Sequence, residues 1–413
     1  MVRFFCGEGL LLASTGLWLV GARGGISTTV IAGLAALKSG RKKPTGLITE
    51  TTLFDGCDLP PLEDLVVGGH EIRTGTLLES AQAINSDSGS IRSELIEAIR
   101  ADLEAADERI RPGILINAGE AILSLEGVDQ DCRHDHPAEA VAQVEKDLRT
   151  FIEDNRLESL VVAILSSTEA SIAEHPAHSK GIDLLSAMNS GEVEAFRSST
   201  IYAIAAANVG AGFINFTPSP AALLPATCEL LEAGGSPYAG SDGKTGETLV
   251  KSALAPMFAQ RALKVLSWQG YNMLGDRDGE ILAHEENRQT KLSSKGELIE
   301  HILGEDVHNQ VSIDYVPSLG DNKTAWDLIH FEGFLDHRMT MQFTWQGCDA
   351  ILAAPLVLDL ARLLAAAGKR GESGLQKHCA IFFKSPHRCR IHDLASQYRA
   401  LADYARRNSS TTS

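Results

Sequence analysis

The apolar run Leu17–Val20 stops at a glycine-rich turn, Gly21-Ala22-Arg23-Gly24-Gly25, and beyond it Val30, Leu34 and Leu37 recur at helical spacing until Gly40. That pattern predicts a short buried strand (17–20), a turn, and a helix over 27–40. TGLITE (45–50) is predicted to be the second strand. Strand, turn, helix and strand of these lengths open a doubly wound α/β sheet. Ile91, Leu95, Ile99 and Leu103 predict an amphipathic helix. GILINAG (113–119) and LVVAIL (160–165) are continuous apolar runs bounded by turn residues, as parallel strands buried on both faces require. STIYAIAAANVG (199–210) reads as a helix.

The character of the chain changes near residue 245. KVLSW (264–268), VSIDYVP (311–317), WDLIHF (326–331) and MTMQFTW (339–345) include alternating patterns, which predict an antiparallel sheet with one covered face. After Asp349 the sequence AILAAPLVLDLARLLAAAGKRG is helical again. The expected plan is a nucleotide-binding α/β domain over 1–247, an inserted α+β domain over 248–348, and a return to the first domain over 349–413. The tail RRNSSTTS is expected to be disordered, and no internal repeat is visible.

At 413 residues the chain is too long for one compact core, and 44% hydrophobic with 22% charged residues is ordinary for a soluble globular protein. The net charge of −17 argues against nucleic acid and anionic membrane as partners. It also makes any local cluster of cations more informative. Seven scattered cysteines without a CxxC pair predict reduced thiols and a cytoplasmic location. The N-terminal MVRFFCGEGLLLASTGLWLVGA is not expected to be a signal peptide or a membrane span, because Ser14, Thr15 and Gly16 break its apolar run.

The glycine turn lies where a pyrophosphate meets a helix N-terminus, so Gly21, Arg23, Gly24, Gly25, Ile26 and Ser27 are candidate dinucleotide contacts. The match to G-x-G-x-x-G is incomplete, with Arg23 and Ile26 at two glycine positions, and a turn built only for tightness is the alternative. Glu50, at the end of the predicted second strand, is a candidate acceptor for ribose hydroxyls or a solvated acid. Four lysines stand out: Lys291 and Lys295 in KLSSK, Lys323 after a Gly-Asp-Asn turn, and Lys384. The first pair shares a helix face, which a solvated surface also explains. Lys384 follows Ala380-Ile381-Phe382-Phe383, where an unpaired ammonium is costly to bury. GSDGKTGET (240–248) places Asp242, Lys244, Thr245 and Gly246 in a small-residue loop before a helix, suited either to phosphate or to helix capping. Cys132-Arg133-His134-Asp135-His136 has no standard metal-ligand spacing and reads as a polar surface loop. Asp349 is a candidate acid or an N-cap.

The ordered motifs AGSDGKTGETLVKS, YNMLGDRDGEIL, KLSSK, DYVPSLGDNKTAWD, CDAILAAPLVLDL and FFKSP resemble the inositol phosphate synthase family, of the myo-inositol-1-phosphate synthase type, over roughly residues 16–390. The resemblance implies a Rossmann-type NAD domain with an inserted catalytic and tetramerisation domain. It further implies an NAD-dependent isomerase that cyclises glucose 6-phosphate to inositol phosphate in a cytoplasmic homotetramer serving inositol and phospholipid biosynthesis. Lys291, Lys295, Lys323 and Lys384 then match active-site lysines, the first and last toward the reacting oxygens and the middle two mainly toward phosphate. Asp242 and Asp349 match acids that orient lysines and relay protons, and Asp278 matches an acid near the nicotinamide. Lys244, Thr245 and Gly246 fall in the phosphate loop. Related enzymes differ over activating cations, so a metal has no assigned ligands. Asp276 and Arg277 stand where better-known members carry two asparagines, and Glu247 where an amide is common. These departures leave a related cyclase on another sugar phosphate, or a plain NAD-dependent dehydrogenase, as the alternatives.

Overall fold

The computed structural model describes residues 14–275, 298–304, 306–320 and 322–410. Two sheets organise them. The first has seven strands: β1 (Ser14–Val20), β2 (Leu65–Glu71), β3 (Ile110–Pro112), β4 (Leu157–Ile164), β5 (Gly212–Asn215), β6 (Pro237–Gly240) and a last strand, Gly374–Leu375. Their order is Gly374–Leu375, β6, β5, β4, β1, β2, β3, and every pairing is parallel. The second sheet is built from β7 (Lys264–Leu274), β8 (His308–Tyr315), β9 (Asn322–Glu332) and β10 (Arg338–Cys348), in the order β10-β9-β7-β8. It lies in sequence between β6 and Gly374–Leu375, so the first sheet is completed by chain that follows the second.

Alternation along the central strands explains the two covered faces. Leu17, Leu19, Val161 and Ala163 point to one core, filled by the helix Gly25–Lys38 and the long helix Asp349–Lys369. Trp18, Val20, Val162 and Ile164 point to the other, against the helices Pro137–Asn155 and Ser198–Val209. The helix Asp349–Lys369 is long and apolar enough to cross a membrane by composition, but 72% of its apolar window is buried inside the protein. A third core lies between the second sheet and the helix Gly246–Gln260, with Phe258, Trp268, Ile329 and Phe331 at its centre.

Several expectations require correction. TGLITE is not a strand: residues 45–47 are irregular, Ile48–Glu50 is a turn of 3-10 helix, and the second strand is Leu65–Glu71. Buried Asp359 accepts the amides of Ile48 (2.9 Å) and Thr49 (3.1 Å) and the Thr49 hydroxyl (2.6 Å). Arg362 binds Thr49 Oγ1 and Glu50, each at 2.6 Å. The segment therefore spends its amides on a helix rather than a neighbouring strand. The predicted helix over Ile91–Leu103 is two, Ser93–Ala98 and Arg100–Asp107, broken at Ile99 (φ −115°, ψ 13°). GILINAG follows β3 instead of forming a strand. Its apolar side chains are buried, but Leu115 pairs only with Cys132 and His134. The second sheet is mixed, because β8 runs parallel to β7. Arg406 and Arg407, expected in a disordered tail, belong to the helix Leu394–Asn408, and Ser410 donates to Gly56 O at 2.9 Å.

Asp359 is wholly buried, and burial lifts its carboxyl to about 6 against the hydrogen bonds that favour the charged form. The folded chain thus holds this proton longer than the unfolded chain does. Its contribution to stability falls as pH climbs from about 4 to about 6 and is level above. Asp359→Ala should remove that slope and cost about 2–4 kcal/mol at neutral pH, because two amides and the Thr49 hydroxyl lose their acceptor. Urea midpoints of both proteins across this pH range check the prediction.

Candidate active site

The glycine turn joins β1 to the helix Gly25–Lys38 next to the place where β1 lies between β4 and β2. The strand order reverses direction there, and doubly wound sheets bind ligands at that switch point. Gly21 has φ +84°, and a Cβ on it would sit 3.0 Å from Ser166 Cα at the end of β4. Gly24 donates to Gly21 O at 3.0 Å and caps the helix without a side chain. The first-turn amides of Gly25, Ile26 and Ser27 consequently have no acceptor within the helix. The hydroxyls of Ser27 and Thr28 are buried and complete no hydrogen bond. Open amides, orphaned hydroxyls and a side-chain-free turn fit a bound pyrophosphate.

The acid at the end of the second strand is Glu71, not Glu50, which is held by Arg362 in the 3-10 turn. Glu71 accepts the amides of Arg23 (2.8 Å), Ile72 (3.0 Å) and Arg73 (3.1 Å). Arg23 itself turns its Nε to Asp107 at 2.8 Å. A strand assignment that tolerated the glycines in LVVGGHE would have found Glu71 at this position.

The second half of the site forms where the insertion leaves and rejoins the first sheet. Residues 241–245 and 382–387 run past each other: Lys244 N–H donates to Phe382 O (2.8 Å) and Lys384 N–H to Asp242 O (2.6 Å). Their side chains meet as well, with Lys384 Nζ 2.9 Å from Asp242 Oδ1 and both groups buried. Lys323, on β9, lies 3.2 Å from Asp349 Oδ2, and Thr245 donates its hydroxyl to Asp349 Oδ1 at 3.2 Å. Asp349 is not the N-cap of its helix; Cys348 is. The next residue, Ala350, has its Cβ 4.0 Å from where a Cβ on Gly25 would be. The dinucleotide turn therefore adjoins the Lys323–Asp349 pair, and Thr245 links that pair to the segment that carries Asp242. Lys291, Lys295 and Asp278 lie outside the described residues.

Gly246 starts the helix Gly246–Gln260, whose N-terminus faces Trp345 and Asp349. Lys244 does not add an open donor there: its amide is taken by Phe382, and its buried ammonium is bound by Gln397. Burial lowers that ammonium to about 8, against the opposing pull of Asp393. Glu247, which stands where an amide is common, is neutralised by Lys251 at 2.5 Å. Lys251 also lies 3.4 Å from Asp327, which accepts Trp268 Nε1–H at 2.7 Å. Burial pushes Asp327 up to about 6 even beside that lysine. A Cβ on Gly270 would fall 2.4 Å from Glu247 Oε1, so only glycine leaves room for this cluster. One register step along the same face of β7 lies Asn272, fully buried, with neither end of its amide hydrogen-bonded. Sequence reasoning missed Lys251, Asp327 and Asn272. The Glu247–Lys251 spacing of four was the available signal.

The cluster Cys132–His136 is no surface loop at its first residue: Cys132 is buried, and burial raises its thiol to about 11. His136 caps the helix Pro137–Asn155 through Nδ1. Among the described residues no group of three or more His, Cys, Asp or Glu is arranged to hold a metal ion.

Comparison with known proteins agrees with this architecture. The inositol-3-phosphate synthase 1 of Bacteroides thetaiotaomicron is 33% identical over 412 residues, covering 93% of each chain. The Saccharomyces cerevisiae inositol-3-phosphate synthase is 27% identical over 84% of this chain and 72% of its own. In solved structures, the fold matches an inositol-3-phosphate synthase of Caenorhabditis elegans with a TM-score of 0.86 at 22% identity, over 97% of this chain and 87% of that one. A myo-inositol-1-phosphate synthase-related protein of Thermotoga maritima matches with a TM-score of 0.77 at 24% identity, over 95% and 98%. With residues 15–406 matching the family as a whole, the chain belongs to the myo-inositol-1-phosphate synthase family of NAD-binding proteins.

Proposed function

We propose that this chain is an inositol-3-phosphate synthase that cyclises glucose 6-phosphate with NAD as a recycled cofactor. The observation that carries the reading is the adjacency of the open-amide turn at Gly25 to the Lys323–Asp349 pair, which Thr245 joins to the buried Lys384–Asp242 pair from a separate part of the chain. A plain dehydrogenase has no need of that convergence. Family membership and the 33% identical relative support the same activity.

The turn from Gly21 to Ser27 would hold the pyrophosphate, and Glu71 takes the ribose-side position first assigned to Glu50. Bound NAD supplies oxidation at carbon 5 of the sugar and the later return of the hydride. The remaining work belongs to the chain. Thr245, the amides at the Gly246 helix N-terminus and Lys323 would clamp the phosphate, with Lys295 assigned there by resemblance. Lys384, with Lys291 by resemblance, would face the oxygens on which charge develops during enolisation and ring closure. Fixed ammonium groups there lower the barrier by several kcal/mol. Asp242 and Asp349 hold Lys384 and Lys323 at 2.9 and 3.2 Å, which suits proton transfer through the pairs. Asp278 is assigned near the nicotinamide. Lys244 is reassigned from phosphate binding to support of the C-terminal helix. Asn272 joins the candidate substrate contacts on its burial and unmet hydrogen bonds.

Six free cysteines among the described residues support a reducing, cytoplasmic setting. Self-association draws support from the second sheet. Tyr271 and Trp326 stack with ring centroids 5.6 Å apart, and Phe334 and Leu335 are 90% and 82% exposed at the β9–β10 turn. A homotetramer of this 44.3 kDa chain is the expected assembly. Light scattering after size exclusion should return about four times the chain mass, and a Trp326→Asp, Leu335→Asp variant a smaller species.

The deciding assay combines purified protein, glucose 6-phosphate and NAD. Inositol phosphate should appear with no steady rise in reduced nicotinamide absorbance. A rise in proportion to product would show a dehydrogenase, and neither signal would show a non-catalytic relative. Another sugar phosphate cyclised faster would move the reading to a related cyclase. Lys384→Ala should lower kcat by roughly 10²–10³-fold with NAD still bound, measured by turnover and by calorimetric titration.

A further inference from the structure

We propose that the adenosine end of the dinucleotide cleft also receives a phosphate on the ribose, so that the chain binds NADP as well as NAD; this rests on the cofactor reading above. At the end of the second strand, a doubly wound fold distinguishes the two cofactors by charge. An acid accepts hydrogen bonds from the ribose hydroxyls, whereas a nearby arginine accommodates the 2′-phosphate. This chain has both. The acid is turned away: the Glu71 side chain is 2% exposed, and its oxygens are occupied by the amides of Arg23, Ile72 and Arg73 and by Arg73 Nε at 3.4 Å. The arginines stand outside it. Arg23 and Arg73 have side chains 17% and 18% exposed, and each reaches across to the other's backbone. Arg23 Nη1 donates to Arg73 O at 3.5 Å and Arg73 Nη2 to Arg23 O at 3.3 Å.

These bonds fix both guanidinium planes and still leave Arg23 Nη2 and Arg73 Nη1 free to donate. A phosphate on the ribose would meet preset arginine donors before it met the Glu71 carboxylate, whose charge is already spread over three amides. Asp107 neutralises part of Arg23 at 2.8 Å and Glu71 part of Arg73 at 3.4 Å, and the longer contact leaves Arg73 the stronger anion partner. The competing explanation is that the two arginines only brace the turn against the strand. A brace would affect both cofactors alike; a phosphate contact affects one.

Titration calorimetry of the full-length protein with NAD and with NADP, at two ionic strengths, tests the inference. The NADP Kd should lie within about tenfold of the NAD Kd and should weaken more steeply with salt. Arg73→Ala should weaken NADP at least roughly tenfold more than NAD, since a charge-assisted contact is lost with only one of them. Arg73→Lys should recover part of the difference, and Arg73→Gln serves if the alanine variant does not fold. NAD binding without NADP binding at about a hundred times the NAD Kd would overturn the inference alone. So would equal loss of both cofactors in the Arg73 variants. Failure to bind either cofactor would overturn the cofactor reading with it.

Discussion

The site depends on the antiparallel passage of residues 241–245 against 382–387. Backbone bonds from Lys244 to Phe382 and from Lys384 to Asp242 close the insertion onto the first sheet. The same register puts the Lys384 ammonium on the Asp242 carboxylate. Asp242 adopts φ +62°, a conformation that few side chains accept, and the neighbouring bonds hold it there. A buried ion pair contributes little net stability, but either charge left alone would cost about 3–5 kcal/mol. The backbone must therefore be closed before the pair can persist. The second pair follows from strand register: Lys323 lies opposite Gly347, and the helix begins two residues later at Asp349.

Phosphate chemistry near Glu247 is feasible because two other residues accommodate the acid. Lys251 is one turn along the same helix, and Gly270 contributes the absence of a side chain, while Asp327 from β9 is a second carboxylate that shares Lys251. Trp268 fixes Asp327 through its indole N–H. The helix N-terminus thus keeps its partial positive charge facing the candidate substrate position, with the carboxylate compensated beneath it. The amide expected from family resemblance is replaced here by a charged arrangement that needs all of these positions together.

The sequence was most informative where local pattern decides the outcome. The glycine turn, the central strands and the helix Asp349–Lys369 are set by apolar runs and their boundaries, and they lie as expected. The second strand was misplaced because its two glycines weaken the apolar signal. Gly68 and Gly69 are required there: a Cβ would come within 2.8 Å of Phe151 or 2.2 Å of Leu19 O. TGLITE looked more strand-like, yet Asp359, hundreds of residues away, takes its amides. The same limit hid the partners of the candidate site. Lysines 323 and 384 were legible through resemblance and composition. Asp327 and Asn272 acquire meaning only once β7 and β9 are paired.

The order of the strands also bears on how the protein is made. Gly374 and Leu375 pair with Pro237 and Tyr238, and the helix covering Leu17, Leu19, Val161 and Ala163 begins at Asp349. A ribosome therefore releases six strands of the first sheet, with one apolar face covered only in part, by the helix Gly25–Lys38, and then the whole insertion, before the second covering helix emerges. During that interval the nascent chain presents a greasy surface whose native cover is incomplete, so folding efficiency in the cell would depend on translation speed and on holding chaperones.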